Sequence, residues 1–274
     1  MHRVLKAAIA AACAIAWSSA AMAARPSCQP QALHDLQVLS PQGHAIYLAI
    51  SNKQHFLRFL TCDDVVLGLS TAVHESVHLL TGEKDAYPLL DGNSVPRPPE
   101  GLRFLPPREI AKRFDPRNVY VQNYLRRGGA SSADDFRFLL DELNAYSHDL
   151  NSAVKLVSLR RDDRQVGHRD GLAALMSFVM GYADAARQSA PATWEGLQRP
   201  ENRKLVQTLW EQAEGVLISS CGVPAFGQDD RKHIAFLCER RNGEALGQLL
   251  GRAPACPATC LTGGTASAGG TIAR

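Results

Sequence analysis

Apolar residues between positions 64 and 82 recur at steps of three and four, so they share one face of a helix that packs into a core. The members of this stripe are Val66, Leu69, Val73, Val77 and Leu80. Thr61 is the predicted N-cap, the aspartates after Cys62 complement the positive end of the helix dipole, and Gly82 is the predicted stop. The pattern thus predicts a core helix in the first third of the chain.

A second stripe predicts a helix from residue 131 or 132 to residue 158. Its apolar members are Phe136, Leu139, Leu140, Leu143, Leu150, Val154 and Val157. Similar periodicity predicts further helices over residues 108–114, 117–127, 171–187 and 201–219. Most of the chain is therefore expected to be helical.

Strand signals are few and lie in the N-terminal half. Residues 45–50, Ala-Ile-Tyr-Leu-Ala-Ile, give the clearest one, and residues 101–105 predict a short strand within a segment rich in proline and glycine. The fold class predicted is α+β, predominantly helical, with a small N-terminal sheet and a helical C-terminal part. We expect one domain over residues 24–260 and a disordered tail over residues 261–274, which has few apolar residues to pack.

Residues 74–78 read His-Glu-Ser-Val-His, and this motif supplies candidate metal-binding and catalytic residues to the helix predicted between residues 64 and 82. One helical turn separates His74 from His78, so both imidazoles can reach one tetrahedral zinc ion. Glu75 lies about 100° around the helix, within reach of a water at that ion. Zinc lowers the pKa of such a water to about 7, and a nearby carboxylate can then accept its proton.

The alternative is a chance pair of histidines on a helix that binds no metal. The residues on either side of the motif, Thr71 to Val73 and Leu79 to Leu80, carry no charge. A buried helix explains this better than a solvated one, because solvated helices usually interleave lysine and arginine. We therefore predict that the motif faces the interior.

The motif resembles that of the zincin metallopeptidases. In the metzincin branch a glycine and a third histidine follow, but here those places hold Thr81 and Lys84. The gluzincin branch takes a glutamate from a later helix, and Glu142 is the best match, because its helix neighbours are uncharged and an ionised carboxylate there needs a partner. The alternatives for the third ligand are Asp141, Glu83, Asp85, Asp91 and His148, and Glu142 can also be a half-buried partner of an arginine.

The resemblance implies a zinc-dependent enzyme that hydrolyses amide bonds in a peptide or protein. His74, His78 and Glu142 would hold Zn²⁺, and Glu75 would act as the general base. Some gluzincins orient the first histidine with an aspartate four residues after the ligand glutamate, and Tyr146 occupies that position here. We expect Tyr146 to stabilise the developing oxyanion, with His148 and His168 as alternatives. The strand at residues 45–50 would line the cleft. A non-catalytic zinc protein and a metal-free helical binding protein braced by disulfides are the alternative classes.

The N-terminus indicates export. Arg3 and Lys6 precede an apolar stretch over residues 7–17, and Ala-Met-Ala at residues 21–23 is a small-residue cleavage site, so residues 1–23 are predicted to be a signal peptide. The stretch is too short to span a membrane, and no later segment is apolar enough to do so. Cys13 raises the alternative of a lipoprotein, but the residues before it fit that signal poorly. A periplasmic or secreted location is expected.

Cysteine and charge content agree with that location. Removing the signal peptide leaves an even six cysteines, which in an oxidising compartment predicts disulfides rather than a metal site. Cys28 is expected to pair with Cys62, and the four C-terminal cysteines with one another. Without Arg3 and Lys6, the chain has 28 basic and 27 acidic residues, so its net charge of +1 gives no support for binding nucleic acid.

Overall fold

A computed structural model describes residues 28–98, 104–128, 133–162 and 164–262. The helices are α1 (Gln29–Leu39), α2 (Pro41–Ala49), α3 (Lys53–Leu57), α4 (Val65–Lys84), α5 (Val119–Tyr124), α6 (Phe136–Lys155), α7 (His168–Ser189), α8 (Pro191–Gln198), α9 (Pro200–Ser220), α10 (Arg231–Cys238), α11 (Glu244–Leu250) and α12 (Ala258–Leu261). Two strands, β1 (Ala86–Pro88) and β2 (Ser94–Pro96), and three 3-10 helices, Pro107–Arg113, Val157–Leu159 and Pro224–Phe226, complete the described part. The prediction of a predominantly helical chain with a small sheet is confirmed.

Three long helices form the centre of the molecule. Helix α6 packs most extensively on α4, and it also contacts α7 and α9. Helix α7 is buried along almost its whole length, so the other helices surround it. The buried apolar side chains of these helices belong to one continuous cluster, which fixes α4 and α6 side by side.

The predicted helix around the histidine motif is present, with different ends. All five residues of its apolar stripe are buried. The N-cap is Asp64, not Thr61, because the Asp64 carboxylate accepts a hydrogen bond from the Leu67 amide. The helix also continues past Gly82 to Lys84, and Asp85 ends it in the left-handed conformation at φ 48°.

The strand predicted at residues 45–50 is wrong. Residues 45–49 belong to helix α2, which begins at Pro41, and the sheet of the described residues follows α4 instead of preceding it. Ile46 and Ile50 are buried while Leu48 is 61% exposed. This spacing of four places one helical face in the core, whereas a strand would bury all three side chains on the same side.

The observed sheet is a short antiparallel hairpin that pairs Ala86 with Pro96 and Pro88 with Ser94. The expected strand at residues 101–105 lies partly outside the described residues, and its last two residues are not in a strand. The helices expected over residues 108–114 and 117–127 are a 3-10 helix and the shorter α5.

Three disulfides brace the described chain, and the predicted grouping is confirmed. Cys28 pairs with Cys62, so α1 is tied to the segment before α4. Cys221 pairs with Cys260 and Cys238 with Cys256, both within the C-terminal region. The predicted signal peptide lies outside the described residues, as does the expected tail from residue 263 onward, whereas Leu261 belongs to α12. None of the described helices combines the length and apolarity needed to cross a bilayer.

Candidate metal centre

Helices α4 and α6 bring three predicted ligands together. The Nε2 atoms of His74 and His78 are 3.2 Å apart, because one turn of α4 stacks the two imidazoles on the face that meets α6. Glu142 of α6 places its Oε2 atom 3.7 Å from His74 Nε2 and 3.4 Å from His78 Nε2. The candidate ligand atoms of His74, His78 and Glu142 therefore lie close together, although Glu142 is distant from both histidines in the sequence.

The three separations fit a tetrahedral ion. Ligand atoms about 2.0–2.1 Å from zinc at tetrahedral angles lie about 3.3–3.4 Å from one another. The observed 3.2, 3.4 and 3.7 Å bracket this value, so one cation fits between the three atoms with only small side-chain movements. Among the described residues, these three form the group of ligand atoms that can hold a metal ion.

The centre is buried on one side and open on the other. The side chains of His74 and Glu142 are 10% and 6% exposed, whereas that of His78 is 22% exposed. Phe138 lies parallel to the His78 ring at 6.4 Å between centroids. Three protein ligands with one solvent-facing edge leave space for a fourth ligand on the His78 side.

Asp141, a rival for the third ligand, has a different place. Its Oδ2 atom is 2.7 Å from His78 Nδ1. Because Nε2 of His78 faces the other two ligands, Nδ1 carries the proton and donates it to the carboxylate. Asp141 therefore orients the His78 ring. Successive residues of α6 thus provide one candidate ligand and the group that orients another candidate ligand.

The remaining rivals lie in other contacts. Glu83 accepts a hydrogen bond from the Ser51 hydroxyl, and the exposed Asp85 pairs with Arg97. Asp91 accepts hydrogen bonds from Asn93 in the hairpin loop. The Nε2 atom of His148 donates to the Pro88 carbonyl. None of these four side chains belongs to the group of ligand atoms within the described residues.

The charges of the two histidines differ when no cation is present. Burial and the neighbouring His78 lower the pKa of His74. Burial also disfavours the charged form of His78, but hydrogen bonds to Asp141 and Glu142 outweigh it and raise the pKa of His78 to about 10. A proton on His78 thus occupies the place of a cation between the carboxylates. A metal ion must displace that proton when it binds.

Glu75 lies beside this centre on the same helix. Its side chain is half-buried, and its negative charge acts on both His74 and Tyr124. The backbone carbonyl of Glu75 accepts a hydrogen bond from His55 Nε2, and Arg58 donates to the other nitrogen of that ring. This contact holds the turn of α4 that carries Glu75.

Tyr146 contacts the centre through its ring. The ring packs edge-on against His74, with centroids 4.5 Å apart, and its hydroxyl is 2.8 Å from that of Tyr124. Burial raises the pKa of both tyrosines further above its ordinary value, so both hydroxyls keep their protons and act as hydrogen-bond donors at neutral and moderately alkaline pH. Gly171 of α7 makes room for the ring, since a Cβ there would lie 2.0 Å from Tyr146 Cε1.

The sequence does not predict two features of this environment, the presence of Tyr124 and the orienting role of Asp141. Tyr124 belongs to the short helix α5, which packs on α7 and on the 3-10 helix Pro107–Arg113, and it reaches the centre through the contact of its hydroxyl with that of Tyr146. Its position four residues after Tyr120 signals an aromatic stripe, but nothing in that stripe points to the histidine motif. The orienting role of Asp141 has a clearer signal, because it is an acidic residue next to a predicted ligand.

A scan of protein-family models, a search of curated proteins and a search of solved structures each return no match for this chain. The resemblance to zincin peptidases therefore stays a prediction.

Proposed function

We propose that this protein is an exported zinc-dependent hydrolase that cleaves peptide bonds. The observation that supports this best is the convergence of His74 Nε2, His78 Nε2 and Glu142 Oε2 at separations suited to a tetrahedral ion. A general-base candidate, Glu75, follows the first of these histidines. Zincin-like architecture, with the sheet in a different place, is part of this proposal.

The donor set favours zinc over other common cations. Two neutral imidazoles and one carboxylate suit zinc, whereas calcium and magnesium prefer oxygen ligands. Catalytic zinc sites typically have three protein ligands and one open position, and closed structural sites have four. When bound, zinc would polarise the substrate carbonyl and increase the acidity of water at that position.

Glu75 would move the proton during hydrolysis. Its carboxylate would take a proton from the attacking water as the bond between oxygen and the carbonyl carbon forms. It would then pass that proton to the leaving nitrogen as the carbon–nitrogen bond breaks, so the products are a carboxylic acid and an amine. Asp141 would keep His78 in the tautomer whose Nε2 is free to be a ligand.

One hydroxyl of the Tyr124–Tyr146 pair would donate a hydrogen bond to the developing oxyanion. One hydroxyl can donate to the other, which leaves one proton for a substrate oxygen. Donors that are already oriented and poorly solvated stabilise such charge strongly. The role that was expected for Tyr146 alone is thus extended to the pair.

Export is supported by the three disulfides, which persist in oxidising compartments such as the periplasm or the cell exterior. Polypeptide substrates are available there. The amide-bond class is supported by the resemblance to gluzincins and by Glu75, which would protonate a leaving nitrogen.

The test combines metal content with hydrolysis of a broad peptide library. Purified protein is expected to contain about one zinc ion per chain, as in other sites with these three ligands. Glu75→Gln should keep zinc and lose hydrolysis, and His78→Ala should lose both. Glu83→Gln is the matched control, because Glu83 lies on the same helix and bonds Ser51 outside the centre.

Each failure has its own meaning. An active Glu75→Gln variant would refute the assigned base. Stoichiometric zinc with no hydrolysis of any library member would indicate a non-catalytic zinc protein. Protein that binds no zinc after removal of chelators would leave a helical binding protein braced by disulfides.

A further inference from the structure

On the Nδ1 side of the His74 ring, away from the candidate metal ligands, lie a further histidine, His168, and the carboxylate of Asp149, which is close to both rings. Asp149 of α6 has its Oδ2 atom 3.9 Å from His74 Nδ1 and its Oδ1 atom 3.5 Å from the Nδ1 of His168. His168 is the first residue of α7 and is 6% exposed, while the Asp149 side chain is 13% exposed. Ser70, one turn before His74, also contacts His168.

The hydrogen-bond donors in this cluster can be assigned. The Asp149 carboxylate can only accept a hydrogen bond, and its Oδ1 atom lies 3.5 Å from His168 Nδ1, so His168 is assigned its proton on Nδ1. The Ser70 hydroxyl can then donate to the Leu67 carbonyl at 3.2 Å and accept from His168 Nδ1 at 3.4 Å. That N–H lies between Ser70 Oγ and Asp149 Oδ1.

His74 needs an acceptor on the same side. Its Nε2 atom faces the proposed metal, so its Nδ1 carries a proton. Within the described residues, this buried Nδ1 has no hydrogen-bond partner, and the same holds for Asp149 Oδ1. A buried N–H without an acceptor is destabilising, and the nearby Asp149 Oδ2 atom is 3.9 Å away.

We propose that Asp149 is a positioning residue that accepts one N–H from His74 and one from His168, and so ties the start of α7 to the metal centre. The proposal rests on the metal site of the proposed function. A small rotation of the His74 ring or of the Asp149 carboxylate would close the 3.9 Å gap between His74 Nδ1 and Asp149 Oδ2. Both oxygens of one carboxylate would then be satisfied by imidazoles from different helices.

This arrangement replaces the one expected from the resemblance. The aspartate that orients the first histidine in some gluzincins would stand at Tyr146, and no carboxylate is available there. Asp149 lies almost one further turn along α6, and α7 supplies the second donor. The centre would thus have Asp141 behind His78 and Asp149 behind His74.

The test measures the affinity for Zn²⁺ by competition with a chromophoric chelator. Asp149→Asn should weaken Zn²⁺ binding about 10- to 100-fold, the usual effect of losing a group that orients a ligand. His168→Leu should weaken it less, because the carboxylate stays. Asp184→Asn is the matched control, because Asp184 is a buried aspartate of α7 that pairs with Arg113 instead of a histidine. This variant should bind Zn²⁺ with an affinity within about twofold of that of the unmodified protein.

Two spectroscopic measurements separate positioning from general destabilisation. The Co²⁺-substituted Asp149→Asn variant should show a changed visible absorption spectrum, whereas the Asp184→Asn variant should not. In the zinc-loaded unmodified protein, imidazole nitrogen NMR should show protons on Nδ1 of both His74 and His168, a result that needs no variant to fold.

Equal Zn²⁺ affinity in Asp149→Asn and the unmodified protein would overturn the proposal, as would a His74 ring protonated on Nε2. The affinity measurement also separates this inference from the proposed catalysis. Protein that binds zinc but hydrolyses nothing would still show the loss in Asp149→Asn. Unmodified protein that binds no zinc would remove both proposals together.

Discussion

Replacing Gly171 with alanine should destabilise the protein and disturb the metal centre. The added Cβ would lie 2.0 Å from Tyr146 Cε1, and ordinary carbon contacts are about 3.5–4.0 Å, so the ring would have to move by about 1.5 Å. It cannot move freely, because one edge packs against His74 and the hydroxyl bonds Tyr124. The ring would therefore press on the imidazole of a proposed ligand.

The magnitude follows from two opposing effects. Overpacking a buried site costs about 1–3 kcal/mol, and a glycine in a helix interior is about 1 kcal/mol less favourable than alanine. Gly215 of α9 is the matched control, because a Cβ there would meet nothing within 4 Å and only the propensity gain applies. The net loss at Gly171 is then about 0–2 kcal/mol, and because both variants share the propensity gain, they differ by about 1–3 kcal/mol.

Urea denaturation of the metal-free proteins measures this difference, and Zn²⁺ titration measures the effect on the centre. Gly215→Ala should be slightly more stable than the unmodified protein and should bind Zn²⁺ equally well. Gly171→Ala should be less stable and should bind Zn²⁺ more weakly. Equal stability of the two variants would contradict the packing assigned to Tyr146 and Gly171.

The other predictions concern a disulfide and the acid–base behaviour of the centre. Replacing Cys28 and Cys62 with serine opens a link across 34 residues and should lower the free energy of unfolding by about 3–4 kcal/mol, measured in urea; a change below about 1 kcal/mol would argue against this bond. Zn²⁺ should release a proton from His78 on binding, because the pKa of His78 is about 10 and its ring is charged at neutral pH. The affinity for Zn²⁺ should therefore rise about tenfold per pH unit from pH 6 to 8, and an affinity independent of pH would contradict the protonated state of His78. Without metal, the raised pKa of His78 adds stability that is complete below pH 6.5 and is lost as pH rises toward 10; Asp141→Asn should flatten this dependence in denaturation curves.

Sequence periodicity was sufficient for the parts of the fold that place the ligands. The stripe that ends at Leu80 predicted α4, and the stripe that begins at Phe136 predicted α6. Glu142 was identified because a carboxylate among uncharged neighbours needs a partner, and the structure places it within 3.7 Å of both histidine Nε2 atoms. Periodicity and the chemistry of burial are local signals, so a single sequence is enough to read them.

The wrong predictions concern segments whose local sequence pattern fits two different structures. Residues 45–50 are apolar enough for a strand, and only the burial of Ile46 and Ile50 with Leu48 exposed distinguishes a helix. The predicted N-cap is wrong because Thr61 and Asp64 are both good caps, and in the structure Asp64 accepts from the Leu67 amide while the Thr61 hydroxyl donates to the Asp64 carbonyl. The partners Tyr124 and Asp149 depend on contacts between helices, which one unaligned sequence does not reveal.

Asp141 and Glu142 are adjacent on α6, and they contact different histidine nitrogens because their side chains differ in length and direction. Successive helical residues point about 100° apart, so Asp141 and Glu142 approach the histidines from different sides. The shorter Asp141 reaches the outer nitrogen of His78 at 2.7 Å, and the longer Glu142 reaches the inner nitrogens of both rings. A cation at the centre would satisfy Glu142 directly and Asp141 through the ring of His78.

Asp141 and Glu142 bring two negative charges into a mostly buried place, which is costly unless a proton or a cation compensates them. His78 provides that proton when no metal is bound, and the proposed zinc ion would provide the charge when it displaces the proton.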